Sequence, residues 1–223
     1  MKTNILFLVI DSLRADRVFG KEKIKNTPNI DSLIEKGAYF SNAITTSQYT
    51  GQVIQSIFTS KLPLVDRITK KSHLKTNSKT NPLSLLKNAG YNIVTTTQED
   101  VFLHGFDQKF DDKDIFDSEE NLYNGLSERI LKKLNSLNEP WFYYIHLEDL
   151  HLPCNVPEKL QHLRLLDRYK QNLCEIDLLV GEILKIVNLD ETLIVITSDH
   201  GDYISPLDGE RCEAVNTKIK IKN

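Results

Sequence analysis

Cysteine is scarce: the three residues Cys154, Cys174 and Cys212 are odd in number and widely spaced. That excludes a disulfide framework and a zinc ribbon, and the expected compartment is a reducing, cytoplasmic one. Long apolar runs are missing too. The run Ile5–Ile10 stops at Asp11, too short for a signal-peptide core, and no small-residue cleavage site follows it. No stretch approaches the length of a membrane span. Neither sign of charge dominates. With 28 Lys and Arg against 31 Asp and Glu, the net charge of -3 argues for neither nucleic acid nor an anionic membrane as partner. Lysines gather at 21–25 and 70–79, where they read as solvated loops. There is no internal repeat and no low-complexity linker, so the 223 residues read as one domain, 1–223.

What is present is an alternation of strand-like and helix-like segments. The run Leu193-Ile194-Val195-Ile196 is short, apolar and β-branched, the signature of a strand buried on both faces of a parallel sheet. It ends on Ser198-Asp199-His200-Gly201-Asp202. Asn4–Ile10 is a second such strand, and it too delivers an acid, Asp11, at its end. Pro140–Leu147 is a third, aromatic strand that leads into Glu148-Asp149-Leu150-His151. Ligands of open α/β sheets bind outside the carboxyl ends of the strands. A carboxylate beside an imidazole suits a divalent cation. Asp11, Asp199 and His200 are therefore candidate ligands of one metal site. The first strand is followed by Asp11-Ser12-Leu13-Arg14 and not by a glycine-rich turn, which sets aside a dinucleotide-binding domain.

The intervening segments supply the helices. Thr27 is a plausible N-cap with Pro28 in the first turn, Ile30, Leu33 and Ile34 form the apolar stripe, and Gly37 is the stop. Val53, Ile54, Ile57 and Phe58 repeat at helical spacing, so a helix starts near Thr50-Gly51 and ends near Ser60. That places the Thr50 hydroxyl at a helix amino terminus, either as a plain cap or where N–H groups and dipole favour an anion. Asn81–Gly90, Ser118–Leu137 and Gln161–Val187 are further helices, and Tyr91–Thr97 and Ala38–Ile44 further strands. Gly105–Phe116 reads as irregular and acidic. The tail Thr217–Lys222 alternates lysine and isoleucine as a half-exposed edge strand would, and the oligomeric state is unreadable. Fold class is α/β, a mostly parallel central sheet with helices on both faces. On residue type alone, His146 reads as a satisfied core histidine, and His151, beyond the strand and beside an acid, is a functional candidate.

Seven segments together resemble the sulfatase and alkaline phosphatase superfamily. They are NILFLVIDSLRADRV from Asn4, TPNIDSLIEKGAYFSNA from Thr27, SIFTSKLP from Ser56, LLKNAGYNIVTTT from Leu85, GFDQKFD from Gly105, IHLEDLHLP from Ile145 and DETLIVITSDHGD from Asp190. The resemblance implies an alkaline-phosphatase-like fold whose carboxyl-terminal subdomain is largely missing here. It implies metal ligands at Asp11, Asp199 and His200, a catalytic nucleophile that also meets the metal at Thr50, and a catalytic, substrate-oxyanion-binding role for His151, with His146 a weaker candidate for the same duty. The cysteine or serine, proline and arginine of the sulfatase nucleophile motif are absent from Thr50–Ile54, so formylglycine chemistry is not expected. A threonine before Gly51-Gln52 is similar to the phosphoglycerol- and phosphoethanolamine-transferase branch. Ser12 stands where the sulfatase pattern has a second acid, and no histidine follows His200. One divalent ion (Mn, Zn, Mg or Ca) is therefore expected, acting on a small-molecule or glycan phosphate or sulfate ester. The expected activity is a metal-dependent hydrolase or transferase of phosphate esters. The alternatives are a sulfuric ester hydrolase in the literal sense or a catalytically impaired metal-binding relative.

Overall fold

The computed structural model describes residues 2–63, 81–99 and 109–204. The lysine-rich 70–79 stretch, Gly105–Asp107, Cys212 and the alternating tail lie outside them. Five strands form one parallel sheet: β1 (Asn4–Ile10), β2 (Asn92–Gln98), β3 (Asp112–Phe116), β4 (Trp141–Leu147) and β5 (Thr192–Thr197). Their spatial order is β3-β2-β4-β1-β5. The helices are α1 (Ala15–Val18), α2 (Pro28–Lys36), α3 (Thr50–Thr59), α4 (Pro82–Asn88), α5 (Leu126–Asn135) and α6 (Leu165–Ile186). No helix among the described residues is long and apolar enough to cross a membrane.

Strand parity divides the core in two, because successive side chains point to opposite faces of a sheet. Leu6, Leu8 and Ile10 of β1 and Tyr143, Ile145 and Leu147 of β4 face one way. They pack with Ile30 of α2, Leu126 and Ile130 of α5, and Tyr169, Leu173 and Ile176 of α6. Each such fully buried aliphatic side chain stabilises the fold by about 1.5–3 kcal/mol. Phe7 and Val9 of β1 and Phe142 and Tyr144 of β4 face the other way. There they meet Ile54 and Phe58 of α3 and Leu83 of α4 in a smaller, aromatic core. Tyr144 and Phe58 meet edge to face at 5.1 Å.

One anchor ties α2 to α6. Thr27 is the N-cap of α2, yet its hydroxyl makes no capping bond. The orphan N–H groups at the helix start go to a carboxylate from another helix. Asp177 accepts from Asn29 N, Ile30 N and Asn29 Nδ2 at 3.3, 2.8 and 2.9 Å. Gly181, one turn further along α6, makes room for this. A Cβ there would stand 2.7 Å from Asn29 Nδ2.

Four sequence expectations change. Ala38–Ile44 is not a strand: Phe40 and Ile44 are exposed, and the Tyr39 ring packs at a tilt against Phe19. Part of the acidic, irregular-looking stretch is β3, whose Asp112, Lys113 and Asp114 sit on the sheet's outer edge, where charge is cheap. The expected helix from Ser118 to Leu137 is a 3₁₀ turn at Leu122–Asn124 followed by α5, broken by Gly125 at φ 107°. Finally β5, expected to be buried on both faces, is the other edge of the described sheet, and Leu193 is more than half exposed.

Candidate active site

The site lies at the carboxyl end of β1 and β5, under the amino terminus of α3. β1 and β5 run in register with Val9 opposite Thr197, so Asp11 and Asp199, each two residues on, emerge side by side on the α3 face. Asp11 N donates to Leu147 O at 2.8 Å, which fixes the end of β1 against β4. Ser12 then turns the chain with a positive φ of 60°, a conformation rare outside glycine. Three bonds hold it there. Ser12 N donates to Asp199 Oδ1, its hydroxyl donates to Asp11 Oδ1 at 2.8 Å, and its carbonyl accepts from the Tyr169 hydroxyl. The serine thus orients the acid it follows.

Thr50 is the first residue of α3, and Tyr49, not Thr50, is the N-cap. Its hydroxyl is turned away from the helix backbone. Thr50 Oγ1 lies 3.3 Å from Asp11 Oδ2 and 3.1 Å from His200 Nε2. His200 Nδ1 lies 3.1 Å from Gly201 O, which can only accept, so Nδ1 carries the proton. That leaves the Nε2 lone pair facing Thr50, Asp11 and Asp199. Asp11, Asp199 and His200 each offer a ligand atom within 4.8 Å of the others.

Asp199 is fully buried, and its Oδ1 accepts from Ser12 N and His200 N. Its Oδ2 has no hydrogen-bond partner. A buried carboxylate oxygen left unpaired is costly, and this one is 3.4 Å from His200 Nε2, inside the cluster. Burial and then the charge of Asp11 push the Asp199 carboxyl above its ordinary value. Burial acts on Asp11 in the same sense, but the neighbouring His146, the Ser12 hydroxyl and the charge of His151 outweigh it, and the net shift is downward. Two carboxylates, a hydroxyl and an imidazole lone pair converging on one orphaned oxygen fit a divalent cation. The mixed oxygen and nitrogen set suits manganese or zinc better than calcium.

The two remaining candidates do not join this cluster of ligand atoms: His146 lies behind Asp11 and His151 beyond the end of β4. His146, expected as a second substrate ligand, has no exposed surface. Its Nδ1 is 2.8 Å from the Tyr144 hydroxyl and its Nε2 is 3.6 Å from Asp11 Oδ2. His151 is exposed just beyond β4, and its Nδ1 lies 3.0 Å from Leu152 O. It lines a cavity of about 270 Å³ with Gln98, Glu148, Asp149 and Asn155, close enough for its charge to act on Asp11. Sequence reasoning passed over Ser12 and Tyr144 as site residues. Tyr144 shares strand parity with His146, which is the signal that finds it.

The sulfatase family model matches residues 3–219, nearly the whole chain. The chain belongs to the sulfatase family. No curated protein matches it. Among solved structures, this sulfatase-family chain is similar to the C-terminal periplasmic domain of EcEptC from Escherichia coli, at 17% identity and a TM-score of 0.68, covering 94% of this chain and 67% of that one. It is similar to the lipoteichoic acid synthase LtaP from Listeria monocytogenes, at 18% identity and a TM-score of 0.63, covering 90% and 57%. The phosphonate monoester hydrolase of Agrobacterium radiobacter is 13% identical with a TM-score of 0.72, covering 90% and 63%. At these identities the likeness concerns the fold, and the chain spans about 57 to 67% of the length of these three structures.

Proposed function

We propose that the chain is a metal-dependent hydrolase or transferase of phosphate esters or diesters in which Thr50 is the nucleophile. One observation carries the reading: the Thr50 hydroxyl points at Asp11 and His200 instead of capping its own helix. The family and a neighbour named as a phosphonate monoester hydrolase support the ester class. Asp11, Asp199, His200 and Thr50 would hold the divalent cation. Bound there, it would supply Lewis acidity, lowering the hydroxyl pKa and neutralising charge on the phosphoryl oxygens.

The chain's own groups account for the rest. With the His200 Nε2 lone pair committed to the cation, the Asp11 carboxylate, whose Oδ2 lies 3.3 Å from Thr50 Oγ1, is the acceptor within reach of the Thr50 proton. Thr50 Oγ1 attacks phosphorus, the bond from phosphorus to the ester oxygen breaks, and the departing alcohol takes up a proton. Water or an acceptor alcohol then attacks the phosphothreonine, and Thr50 regains its hydroxyl. The amino terminus of α3 favours the anionic group beside Thr50. His151, with Nδ1–H spent on Leu152 O, presents Nε2 to a substrate oxygen or its proton. The substrate class is a small-molecule or glycan phosphate ester, met in the cytoplasm. A sulfate ester is the alternative, disfavoured because Thr50–Ile54 contains neither cysteine nor serine.

Metal-stripped protein, with Mn, Zn, Mg or Ca returned singly, should hydrolyse an aryl phosphate or phosphodiester faster than the matching sulfate. Thr50→Ala should lower that rate on the order of 10⁴-fold, as loss of a nucleophile does. Metal-dependent turnover that survives Thr50→Ala would overturn the assignment.

A further inference from the structure

The β4 residue behind Asp11 has no place in the reaction just described. His146 is fully buried, and its Nε2 has no hydrogen-bond partner. A buried ring nitrogen without a partner is an exception that needs a reason. The ring is not loosely placed. On one side the Tyr144 hydroxyl is 2.8 Å from Nδ1, and on the other Asp11 Oδ2 is 3.6 Å from Nε2. Register explains the alignment. Phe7 and Val9 of β1 lie opposite Tyr144 and His146 of β4, so the face that carries them also carries Asp11.

The proton positions follow. Tyr144 is fully buried, and burial, with the charges of Asp199 and Asp11, holds its phenol far above the ordinary value. It is therefore a neutral O–H that must donate, and His146 Nδ1 is the acceptor the structure gives it. The imidazole then carries its proton on Nε2, aimed at Asp11. Asp11 Oδ1 already accepts from Ser12. Both oxygens of the acid are thus steered from behind, one by a hydroxyl and one by an imidazole N–H.

We propose that Tyr144 and His146 form a strut that fixes the orientation of Asp11 for a divalent cation, as positioning residues and not as substrate ligands. The proposal rests on the reading of Asp11 as a cation ligand. Partners behind a metal-binding carboxylate set its angle and reduce the reorganisation that binding requires. A move of a few tenths of an ångström brings Nε2 into hydrogen-bond range of Asp11 Oδ2, so cation binding and closure of this bond reinforce each other.

The test measures cation affinity directly, by competition between the full chain and a chelating indicator for Zn²⁺ and Mn²⁺. His146→Gln keeps an N–H donor near the Nε2 position, whereas His146→Asn does not reach. His146→Asn should bind roughly 10- to 100-fold more weakly than wild type, the usual cost of removing such a partner. His146→Gln should recover much of that loss. Tyr144→Phe, which keeps the ring and removes only the hydroxyl, should fall between. Unfolding midpoints in chelator report whether a variant has lost its fold, and Tyr144→Phe carries the test if His146→Asn does not fold. A second readout needs no cation: ¹⁵N spectra of wild-type histidines should show His146 as the Nε2–H tautomer, and Tyr144→Phe should disturb it. Wild-type affinity in both His146→Asn and Tyr144→Phe, an equal loss in Asn and Gln, or an Nδ1–H tautomer would overturn the strut. Wild-type protein that binds neither cation would overturn the metal site itself, and the strut with it.

Discussion

Asp177 and Asp199 are equally hidden carboxylates, 2% and 0% exposed, on opposite sides of the same sheet. They differ in what their oxygens do. Asp177 spends both on the start of α2, on two backbone N–H groups and one amide. Asp199 spends one on Ser12 N and His200 N and leaves the other without a partner. Burial alone does not separate scaffold from chemistry here. The satisfied acid holds two helices together, and the unsatisfied one faces a hydroxyl, an imidazole and a second carboxylate. Asp149 is intermediate, with Oδ1 accepting from Leu122 N and burial pushing its carboxyl up to about 6.

The comparison breaks most easily at Asp177. Asp177→Ala leaves the start of α2 uncapped and two backbone donors unpaired, while Asn29 Nδ2 keeps the Asp177 carbonyl at 3.0 Å, at a cost of about 3–4 kcal/mol. Urea unfolding should show a lower midpoint with an unchanged slope, and cation affinity of the folded fraction should stay at the wild-type value. A variant that keeps its stability and loses the cation would reverse the roles assigned to the two acids.

Asp149 sharpens the comparison through pH. Its folded value, about 6, lies above the ordinary 3.8. The sign follows: the neutral acid's contribution is complete below 3.8 and is lost as pH rises through about 6. Asp149→Asn keeps an oxygen for Leu122 N and removes the charge. At neutral pH in chelator it should be more stable than wild type by about 3 kcal/mol, and the gap should close in acid. A gap independent of pH would mean that Asp149 is not the group responsible.

Gly181 tests the anchor from its other side. The Asn29 amide that an alanine Cβ would meet is bonded to Asp177 and has no easy retreat. Gly181→Ala should cost about 1–2 kcal/mol by thermal unfolding, although alanine is the better helix former. Stabilisation would show that the anchor yields freely.

The sequence carried the strand ends well, because a buried parallel strand is an unbroken apolar run and its end is abrupt. Asp11, Asp199 and His200 were legible for that reason, Thr50 only from the helical spacing that follows it and from the family resemblance, and the structure brings the four together. Partners from distant elements were not legible. Thr27 has the residue type of a cap, but the bond is made by Asp177, about 150 residues away in sequence. β3 was hidden because an edge strand tolerates charges at Asp112, Lys113 and Asp114. β5 read as buried on both faces because it is a run of four apolar residues, and nothing in such a run shows that among the described residues it borders β1 alone. Ser12 looked like a lost ligand, and only the geometry turns it into a donor to Asp11.

The smallest effect belongs to Asp199, and its sign is what matters. In chelator, the Asp199 charge is opposed by its own burial and by Asp11. Asp199→Asn removes that charge while Ser12 N and His200 N keep an oxygen to bond. The chelated variant should therefore unfold at a higher denaturant concentration than wild type, by about 1 kcal/mol. Added Zn²⁺ or Mn²⁺ should then stabilise wild type and leave the variant unmoved, so that the order reverses as cation is titrated in. Such a crossover is the mark of an acid held at a cost to the fold for the sake of a ligand. Asp177 admits no crossover, because its loss weakens the protein with or without the cation. If Asp199→Asn destabilises the chelated protein instead, the unpaired oxygen contributes to the scaffold, and the distinction between the two acids fails.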